Sequence, residues 1–559
     1  METGRGDRYE LAGCDGDFQR ILQEWKMANG TERIWSRDAA LWSGSDEAKW
    51  LGWLDAIEAH RGGVSQITSC ADEIRADGFT DCLLLGMGGS SLCPEVVSET
   101  FGHQPGFPRL HVLDSTVPDQ VSRVRQSLDL QKTLLAVASK SGSTVEPNVL
   151  LDYFCDQVGQ ETDEVGRQVV AVTDPGSSLE DRATDEKYRA VFHGVPEIGG
   201  RFSALSNFGL LPAGLAGLDL TSYLDRAEAL ADACRTEDEN PGLLLGAAMG
   251  AAQANGRDKL TLVVSPKLWD IGAWIEQLVA ESTGKGGVGI CPVDQEPDRN
   301  ASGYGSDRLF VYIRLESEPD ESQDRRIAAL SGEGHPTVVL NVLDEMHLGA
   351  EFYRWEFATA VIGALMEINP FDQPNVQESK DITTRLLAEY EQDGTFSEPD
   401  PVGKVGSLSV TSGEKEATSG EEALTAFLST LQTGDYFTLL SYTDRTEETQ
   451  RIYQNIRETV GRSKGVATTL GYGPRFLHST GQLHKGGPNT GVFLQVTTKP
   501  NEEVAIPGKS ATFGVLSRAQ AAGDYEALVE RGRRILRVDM REGLGTGLAE
   551  MERALLDLL

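Results

Sequence analysis

The sequence predicts an α/β protein in which tandem doubly wound parallel sheets have an N-terminal helical wrap and a further α/β region at the C-terminal end. Two observations lead to this prediction. Short apolar runs alternate with helical segments between residues 80 and 195, and the alternation resumes near residue 260 and after residue 420. Short runs separated by helices are typical of parallel strands, whose ligands bind at the carboxyl ends of the strands.

Each apolar run is assigned to one strand. The strands predicted for the first sheet are Cys82–Leu85, Leu110–Leu113, Leu134–Ala138, Val169–Val172 and Ala190–Phe192. The later strands are predicted at Leu260–Ser265, Leu309–Ile313, Thr337–Asn341, Tyr436–Ser441, Val466–Leu470 and Val492–Val496. The helices between and after them are predicted at Trp269–Ala280, Glu351–Met366, Glu421–Leu431, Glu447–Val460 and Tyr525–Arg534.

A chain of 559 residues is too long for one compact core. Tryptophans at helical spacing near residue 50 predict an N-terminal helical wrap, and a stretch rich in Gly, Ser, Thr, Pro and Glu predicts a linker. We therefore predict five regions: a helical segment at 1–60, a first sheet domain at 61–235, a second at 236–391, a linker at 392–420 and a C-terminal α/β region at 421–559.

The composition limits the partners. The net charge is −35, which repels nucleic acid and anionic membranes, so we expect neither as a partner. Seven cysteines, an odd number without a CxxC pair, predict reduced thiols and no zinc site. The polar N-terminus lacks a signal peptide, and the longest apolar stretch (Leu243–Ala254) is too short to span a bilayer. We therefore expect a soluble, cytoplasmic protein.

Two glycine- and serine-rich turns follow predicted strands. In the first, Gly86, Gly88 and Gly89 precede Ser90 and Ser91 at the start of a helix, where amides and hydroxyls favour an anion such as phosphate. The second spans residues 139–144 and places Lys140 among four hydroxyl side chains. Either turn alone could be a tight connection or a solvated loop. Their recurrence in one sheet favours a phosphate site.

Further along the chain, single polar residues stand near glycines or prolines. Arg201 follows two glycines, Glu281 ends a helix before a glycine run, and Lys380 follows a rigid turn bounded by two prolines. Alternatively, Arg201 forms a surface ion pair, Glu281 is at a solvated helix end and Lys380 is a surface lysine. The run GKGGVG follows a helix rather than a strand, so it does not predict dinucleotide binding. His478 and His484 lie in a glycine-rich loop without metal-ligand spacing.

Five of these segments together resemble the phosphoglucose isomerase family, which is built on sugar-isomerase (SIS) domains. GMGGSSLCP and SKSGSTVEP resemble the two phosphate loops of the family, EIGGRFS its arginine loop, AESTGKGG its catalytic glutamate segment and NPFDQPNVQESK its lysine segment. They occur in the family's order between residues 50 and 380. The resemblance implies tandem SIS-type, flavodoxin-like sheets, interconversion of glucose 6-phosphate and fructose 6-phosphate, a homodimer, and no metal or other cofactor.

The resemblance also implies roles for individual residues. The substrate phosphate is expected at Gly89, Ser90, Ser139, Lys140, Ser141 and Thr144. Glu281 is the expected base that moves a proton between C2 and C1, and Arg201 is expected to stabilise the cis-enediolate. Lys380 and Gln373 are expected to line the side where the sugar ring opens. One carboxylate and one cation are what aldose–ketose isomerisation requires.

The histidine that opens the ring in this family lies elsewhere here. Some bacterial members have it in an HSxGQ segment before the lysine segment, whereas here HSTGQ begins at His478, after that segment. This order resembles the isomerase half of bifunctional transaldolase/phosphoglucose isomerases, without the transaldolase barrel. We predict His478 as the ring-opening histidine, with His484 and His347 as alternatives. Asn375 and Gln377 replace the common Gly and Glu of the lysine segment.

Two alternative functions remain open at this point. A dual phosphoglucose/phosphomannose isomerase would use the same enediol, because mannose 6-phosphate differs only in its C2 configuration. A non-catalytic SIS sensor of sugar phosphates would bind the same ligand. The presence of Glu281, Arg201 and Lys380 favours an enzyme over a sensor.

Overall fold

A computed structural model describes residues 6–413 and 417–559. Residues 1–5, at the start of the predicted helical segment, and residues 414–416, in the predicted linker, lie outside the described residues. None of the helices in the described ranges is long and apolar enough to cross a membrane.

The described strands and helices alternate along most of the chain. The strands are β1 (Arg8–Glu10), β2 (Asp81–Leu85), β3 (Arg109–Leu113), β4 (Thr133–Ala138), β5 (Val169–Thr173), β6 (Ala190–His193), β7 (Lys259–Val264), β8 (Cys291–Val293), β9 (Arg308–Leu315), β10 (Thr337–Val342), β11 (Gly403–Val405), β12 (Leu408–Ser412), β13 (Tyr436–Tyr442), β14 (Ala467–Tyr472), β15 (Gly491–Thr498) and β16 (Arg534–Met540). The α-helices are α1 (Asp15–Met27), α2 (Gly30–Trp35), α3 (Ala56–Arg61), α4 (Val64–Ala76), α5 (Leu92–Phe101), α6 (Pro118–Ser127), α7 (Val145–Gly159), α8 (Ser178–Asp185), α9 (Asn207–Leu215), α10 (Leu220–Ala233), α11 (Pro241–Ala254), α12 (Ile271–Thr283), α13 (Glu321–Gly332), α14 (Leu348–Leu365), α15 (Val376–Asp393), α16 (Gly420–Ser429), α17 (Glu447–Lys464), α18 (Gly481–Gly486), α19 (Phe513–Glu530) and α20 (Leu544–Leu558).

The first sheet has five parallel strands in the order β3-β2-β4-β5-β6, which confirms the predicted α/β fold class. Its central strands are apolar and buried at almost every position, and β4 is buried throughout. Such continuous burial is expected when helices cover both faces of a parallel sheet. We call this sheet and its helices the first unit.

The second unit is built on a sheet in the order β1-β10-β9-β7-β8. Strands β7 to β10 are parallel, and β1 pairs with β10 antiparallel at one edge. The N-terminal segment, predicted as helical only, therefore also adds a strand. Three residues are too few for a clear sequence pattern, and β1 is held by pairing and by stacking of Tyr9 on Phe18 at 5.8 Å.

The third unit is a six-stranded sheet in the order β11-β12-β16-β15-β13-β14. Its first two strands lie inside the range 392–420, which was predicted as a linker, so part of that range is sheet rather than linker. The helix predicted at Tyr525–Arg534 is also corrected. The observed α19 starts at Phe513 and ends at Glu530, and Arg534 begins β16, which pairs in parallel with β15.

All three sheets share one arrangement of their parallel strands. In each, the first parallel strand along the chain lies between the second and the third, and the fourth follows the third. This is a doubly wound order with the switch point between the first and third strands, where ligands bind. In the first unit the switch point lies between β2 and β4. The sequence predicted two such sheets, and the third differs by its two antiparallel strands, β11 and β12.

The units pack through shared apolar cores. One large cluster joins residues of the first and second units with the N-terminal helices, including Trp25, Trp42 and Trp53. The third unit has its own cluster, but Phe513 and Leu516 of α19 insert among the apolar side chains of the first unit. Helix α19 therefore belongs to the third unit by sequence and contacts the core of the first.

Candidate active site

The first loop, residues 86–91, joins β2 to α5 at the switch point of the first sheet. Gly89 packs against the backbone before Arg201, because a Cβ atom at Gly89 would lie 1.9 Å from the Gly200 carbonyl oxygen. Ser91 Oγ lies 2.8 Å from Asp114 Oδ2 and fixes the turn. Ser90 is buried at the start of α5, and its hydroxyl has no hydrogen-bond partner among the described residues.

The second loop, residues 139–144, follows the neighbouring strand β4, and Thr144 is the N-cap residue of α7. The Ser139 hydroxyl is buried without a hydrogen-bond partner in the described part of the chain. Ser141 Oγ lies 2.9 Å from Ser143 Oγ. The two loops thus place hydroxyl groups and the N-termini of two helices at one edge of the sheet, an arrangement that suits a phosphate.

Lys140 is the exception within the second loop. Its ammonium group donates to both carboxylate oxygens of Asp174 at 2.8 Å and to the Val195 carbonyl oxygen at 3.0 Å. Burial lowers the pKa of Lys140, and the Asp174 carboxylate opposes this shift. The side chain predicted as a phosphate ligand is therefore paired with a carboxylate in this structure.

Arg201 and Glu281 form a buried ion pair beside the first loop. Arg201 Nη1 lies 3.1 Å from Glu281 Oε1, and its Nε donates to Ser282 Oγ at 2.7 Å. Burial lowers the pKa of the Arg201 guanidinium group, which the Glu281 carboxylate opposes. Glu281 lies in the last turn of α12, so this helix and the turn before α9 together bring the two side chains into contact.

Gln277 links Glu281 to the first loop and to the HSTGQ segment. Its amide nitrogen lies 3.0 Å from Glu281 Oε2 and 2.8 Å from the His478 carbonyl oxygen. The first loop packs on both groups, because a Cβ atom at Gly88 would lie 2.9 Å from Gln277 Nε2 and 3.0 Å from the His478 carbonyl oxygen. The Glu281 side chain therefore lies next to the first loop.

The lysine segment closes the other side of Arg201. Arg201 Nη1 donates to Gln373 Oε1 at 3.0 Å, and its Nη2 donates to the Pro370 and Asp372 carbonyl oxygens. Nearby, Lys285 Nζ lies 2.6 Å from Asp372 Oδ1, and burial, with the positive charge of Arg201, lowers the pKa of Lys285 to about 8. The rigid turn thus places Gln373 on the guanidinium group.

Lys380 lies on the second turn of α15, and its side chain is exposed. The ammonium group has no hydrogen-bond partner in the described ranges, but its charge lowers the pKa of Glu146. Its charge is therefore close enough to act on Glu146, the partner of His478.

His478 reaches the first unit from the third. Its Nε2 lies 3.0 Å from Glu146 Oε1, and Gln520 Nε2 donates to the same oxygen at 2.7 Å. Burial raises the pKa of Glu146, but the neighbouring His478 outweighs burial and the pKa lies below its ordinary value. Because Glu146 is in the first turn of α7, two residues after Thr144, this contact places His478 beside the second loop.

The two alternative histidines lie elsewhere. His484 is buried among Tyr436, Phe476 and Phe493, with its ring 5.0 Å from that of Phe493, and burial lowers its pKa well below the usual value. His347 Nδ1 lies 2.7 Å from Asp344 Oδ1 at the start of α14. Of the three predicted histidines, the structure brings only His478 to the candidate site.

Several site residues were missed by the sequence interpretation. Glu146 was part of a quoted motif, but an acidic residue in the first turn of a helix is common and gives no signal by itself. Gln277 and Gln520 are buried amides without a recognisable pattern, and Gln482, although it ends the quoted HSTGQ segment, was given no role. Gln482 Nε2 donates to the Gly284 carbonyl oxygen at 2.8 Å, and its Oε1 accepts from the Asn375 amide at 2.9 Å. It thereby joins the glutamate and lysine segments.

Comparisons with known proteins identify the family of the chain. A sequence model described as phosphoglucose isomerase matches residues 66–292. The glucose-6-phosphate isomerase of Rubrobacter xylanophilus is 31% identical over 365 residues, covering 56% of this chain and 84% of that protein. A probable glucose-6-phosphate isomerase of Methanococcus maripaludis is 30% identical over 352 residues, covering 55% of this chain and 79% of that protein. The chain therefore belongs to the phosphoglucose isomerase family.

Solved structures show the same fold. A hypothetical protein of Thermus thermophilus matches with a TM-score of 0.60 and 25% identity, covering 68% of this chain and 100% of that chain. A glucose-6-phosphate isomerase of Chlamydia trachomatis matches with a TM-score of 0.53 and 24% identity, covering 65% of this chain and 78% of that chain. Close to a third of this chain thus has no counterpart in the Thermus protein. The resemblance to bifunctional transaldolase proteins stays a prediction.

Proposed function

We propose that the chain is a glucose-6-phosphate isomerase, which interconverts glucose 6-phosphate and fructose 6-phosphate through a cis-enediol(ate). One observation supports this most directly. The Glu281 carboxylate lies 3.1 Å from the Arg201 guanidinium group and beside the first loop, so a base and a cation lie next to an anion-binding turn. Family membership points to the same reaction.

The phosphate of the substrate binds across the two loops. Ser90, Ser139, Ser141 and Thr144 offer hydroxyl groups, and the Gly89 amide lies near the N-terminus of α5. Lys140 supplies positive charge close to the second loop, although its ammonium is paired with Asp174. Binding the phosphate away from the reacting carbons holds the sugar in position for proton transfer.

Proton transfer then takes place at C1 and C2. Glu281 removes the proton from C2 of the open-chain aldose, the C1 carbonyl oxygen gains a proton, and an enediol forms. The C2 hydroxyl loses its proton, and Glu281 returns its own proton to C1 to give the ketose. Arg201 stabilises the negative charge on oxygen in this step, since a buried cation interacts strongly with developing charge.

Opening of the pyranose ring precedes this transfer and needs a proton to move from the C1 hydroxyl to the ring oxygen. His478, paired with Glu146, performs this step, with Lys380 close enough to lower the pKa of Glu146. Gln373, expected on the same side, contacts Arg201 instead. A His478→Ala variant is therefore expected to lose activity on the cyclic substrate while still binding acyclic 5-phosphoarabinonate, a mimic of the enediolate.

A coupled assay on glucose 6-phosphate, run beside mannose 6-phosphate, tests the function. The wild type is expected to isomerise glucose 6-phosphate, and Glu281→Gln is expected to reduce kcat by roughly 10²–10⁴-fold. Glu391→Gln, on an exposed part of α15, is the matched control. Full turnover by Glu281→Gln would contradict the assigned base.

The same assay separates the alternatives. Comparable rates on mannose 6-phosphate would indicate a dual phosphoglucose/phosphomannose isomerase. Binding of both sugars without turnover by the wild type would indicate a sensor. The homodimer is a proposal that rests on the resemblance, and light scattering after size-exclusion chromatography tests it. The cytoplasmic location is a proposal that rests on the cysteine content and the polar N-terminus.

A further inference from the structure

Helix α19 of the third unit is fixed on two sides. Phe513 and Leu516 pack in the apolar core of the first unit, and the Phe513 ring meets that of Tyr153 at 5.7 Å. On its other side α19 packs closely on α15, because a Cβ atom at Gly523 would lie 3.1 Å from the Ser379 carbonyl oxygen. Gln520, between these contacts, is 3% exposed and has little freedom to move.

The Gln520 amide contacts two polar groups of the first unit. Its oxygen accepts from Thr116 Oγ1 at 2.6 Å, and its nitrogen donates to Glu146 Oε1 at 2.7 Å. Thr116 is fully buried and follows β3. Because an ionised carboxylate can only accept, the NH₂ end of Gln520 must face Glu146, and the amide oxygen then accepts from the Thr116 hydroxyl.

The same Glu146 oxygen is 3.0 Å from His478 Nε2. Two donors on one oxygen suit an ionised Glu146, whose pKa lies below its ordinary value because of the neighbouring His478, and the contact from His478 uses a proton on Nε2. In the neutral imidazole with this tautomer, Nδ1 is the basic nitrogen, and it has no hydrogen-bond partner in the described part of the chain. The other titratable groups that face Glu146 are Lys380 on α15 and Tyr442 on β13.

We propose that Gln520 is a positioning residue, which holds Glu146 ionised and in place so that His478 keeps its proton on Nε2 and presents Nδ1 to the substrate. This inference rests on the proposed function, because it concerns the ring-opening step. It assigns a part in the reaction to α19, a helix of the third unit. The third unit also contributes His478 to this side of the site.

Two variants with contrasting chemistry test the inference. Gln520→Met keeps the length of the side chain and removes the donor, and we expect kcat/KM on glucose 6-phosphate to fall roughly 10- to 100-fold, as for a lost hydrogen bond to a charged group. Without that donor the ionised carboxylate is less favoured, so the acidic limb of the pH profile shifts to higher pH. Gln520→Glu places a second carboxyl group beside Glu146 and shifts that limb further.

The matched control is Gln495→Met. Gln495 is also a fully buried glutamine of the third unit, and it contacts α19 through the Ala521 carbonyl oxygen at 3.0 Å, away from Glu146. We expect this variant to keep the pH profile of the wild type, even where it lowers stability. Binding of 5-phosphoarabinonate, which is acyclic, should be unchanged in all of these variants.

A spectroscopic measurement separates this inference from the proposed function. ¹⁵N NMR of histidine-labelled protein, assigned with His478→Ala, is expected to show the Nε2–H tautomer of His478 in the wild type and a mixture of tautomers in Gln520→Met. This readout does not depend on isomerase activity. If Gln520→Met does not fold, Thr116→Val is the second variant, because it removes only the hydroxyl that donates to the Gln520 amide oxygen. It should give a smaller shift of the pH profile and a smaller change in the His478 tautomer. An unchanged pH profile together with an unchanged tautomer would overturn the inference.

Discussion

At the scale of single residues, Arg201 makes the largest set of contacts in the site. Its guanidinium group meets Glu281, Ser282 and Gln373 through three nitrogen–oxygen contacts between 2.7 and 3.1 Å. It also donates to two backbone carbonyl oxygens of the lysine segment. A planar group with five donors can satisfy all of these at once, whereas an ammonium group cannot.

Arg201→Lys therefore tests whether the geometry of the cation matters beyond its charge. Lysine keeps the positive charge but lacks the planar guanidinium group that contacts both Glu281 and Gln373. We therefore expect kcat to fall by roughly 10²–10³-fold. Steady-state kinetics on glucose 6-phosphate measures this, and binding of inorganic phosphate, which lacks the enediolate oxygens, shows that the phosphate loops are intact. Activity within a few-fold of the wild type would mean that charge alone is sufficient.

Glu351, outside the site, makes stability depend on pH. Burial in α14 and the nearby Asp7 raise the pKa of Glu351 to about 7, while Arg354 opposes the shift. The folded state then holds a proton that the unfolded state, with a carboxyl pKa of about 4.3, has lost. The stabilising contribution is complete below pH ~4 and is lost as the pH rises towards 7.

Glu351→Gln removes this dependence. We expect the difference in free energy of unfolding between Glu351→Gln and the wild type to change in favour of the variant by up to about 3 kcal/mol as the pH rises from 4.5 to 8. The wild type loses stability over this range as Glu351 loses its proton, whereas the amide has no proton to lose. Urea unfolding at several pH values measures the difference. The exposed Glu391→Gln serves as the control, and a difference that does not change with pH would show that Glu351 is ionised without penalty in the folded state.

Some site residues could be predicted from the sequence and others could not. Glu281, Arg201 and the two loops lie in short segments whose glycines and polar residues form recognisable patterns. Glu146 and His478 are 332 residues apart, and no local pattern reports that their side chains meet. The pairing of Lys140 with Asp174 was missed for the same reason, since it depends on two neighbouring strands.

At the scale of elements, the site depends on where helices and strands end. The two loops follow the neighbouring strands β2 and β4, Glu281 ends α12, and Lys380 lies near the start of α15. The backbone therefore brings together residues that are far apart in the sequence. Helix α15 is positioned in turn by α19, because Gly523 allows the two helices to approach closely.

Gly523→Ala tests this packing. The added Cβ atom would lie 3.1 Å from the Ser379 carbonyl oxygen and 3.2 Å from the Thr383 amide nitrogen, both backbone atoms of α15. We expect a loss of about 1–3 kcal/mol in stability and a lower kcat/KM, as Lys380 moves with its helix. Thermal unfolding and kinetics together measure both effects.

The control for this change is Gly545→Ala in α20. A Cβ atom there meets nothing within 4 Å, so the substitution should be neutral or slightly stabilising. If Gly523→Ala behaves in the same way as this control, the close contact between α15 and α19 does not position Lys380.

The strands differ in how well their sequences predict them. Strand β4 is a continuous apolar run between two polar turns and was predicted from that pattern. Strands β1 and β11 have three residues each and lie at sheet edges, where half of the residues face solvent and no apolar run forms. Strand β16 was missed because only a short turn at Gly532 separates it from α19, and its charged residues interrupt the apolar run.

At the scale of the whole molecule, the third unit docks on the other two through charged groups. Arg123 of the first unit donates to Asp444 at 2.7 and 3.0 Å, and Arg475 of the third unit pairs with Asp114 at 2.7 Å. Arg299 of the second unit donates to the Gly461 carbonyl oxygen at 2.9 Å. These contacts fix the orientation of the third unit, so His478 reaches the site of its own chain.

Mixing two inactive variants tests this arrangement. Glu281→Gln and His478→Ala chains with different tags are co-expressed, purified together and assayed on glucose 6-phosphate. If each chain completes its own site, every site has one defect and no activity returns, whatever the oligomeric state. Recovery of a substantial fraction of the wild-type activity would mean that His478 serves the site of a partner chain.

The central claim is that one carboxylate, Glu281, moves a proton between neighbouring carbons of the bound sugar. The most direct measurement follows the reaction of glucose 6-phosphate in D₂O by NMR. In the wild type we expect both transfer of the C2 hydrogen to C1 and some deuterium at C1 of fructose 6-phosphate, because the proton held by Glu281 can either be returned or exchange with solvent. Glu281→Gln is expected to show neither transfer nor exchange, and isomerisation or deuterium exchange that persists in Glu281→Gln at the wild-type rate would contradict the claim.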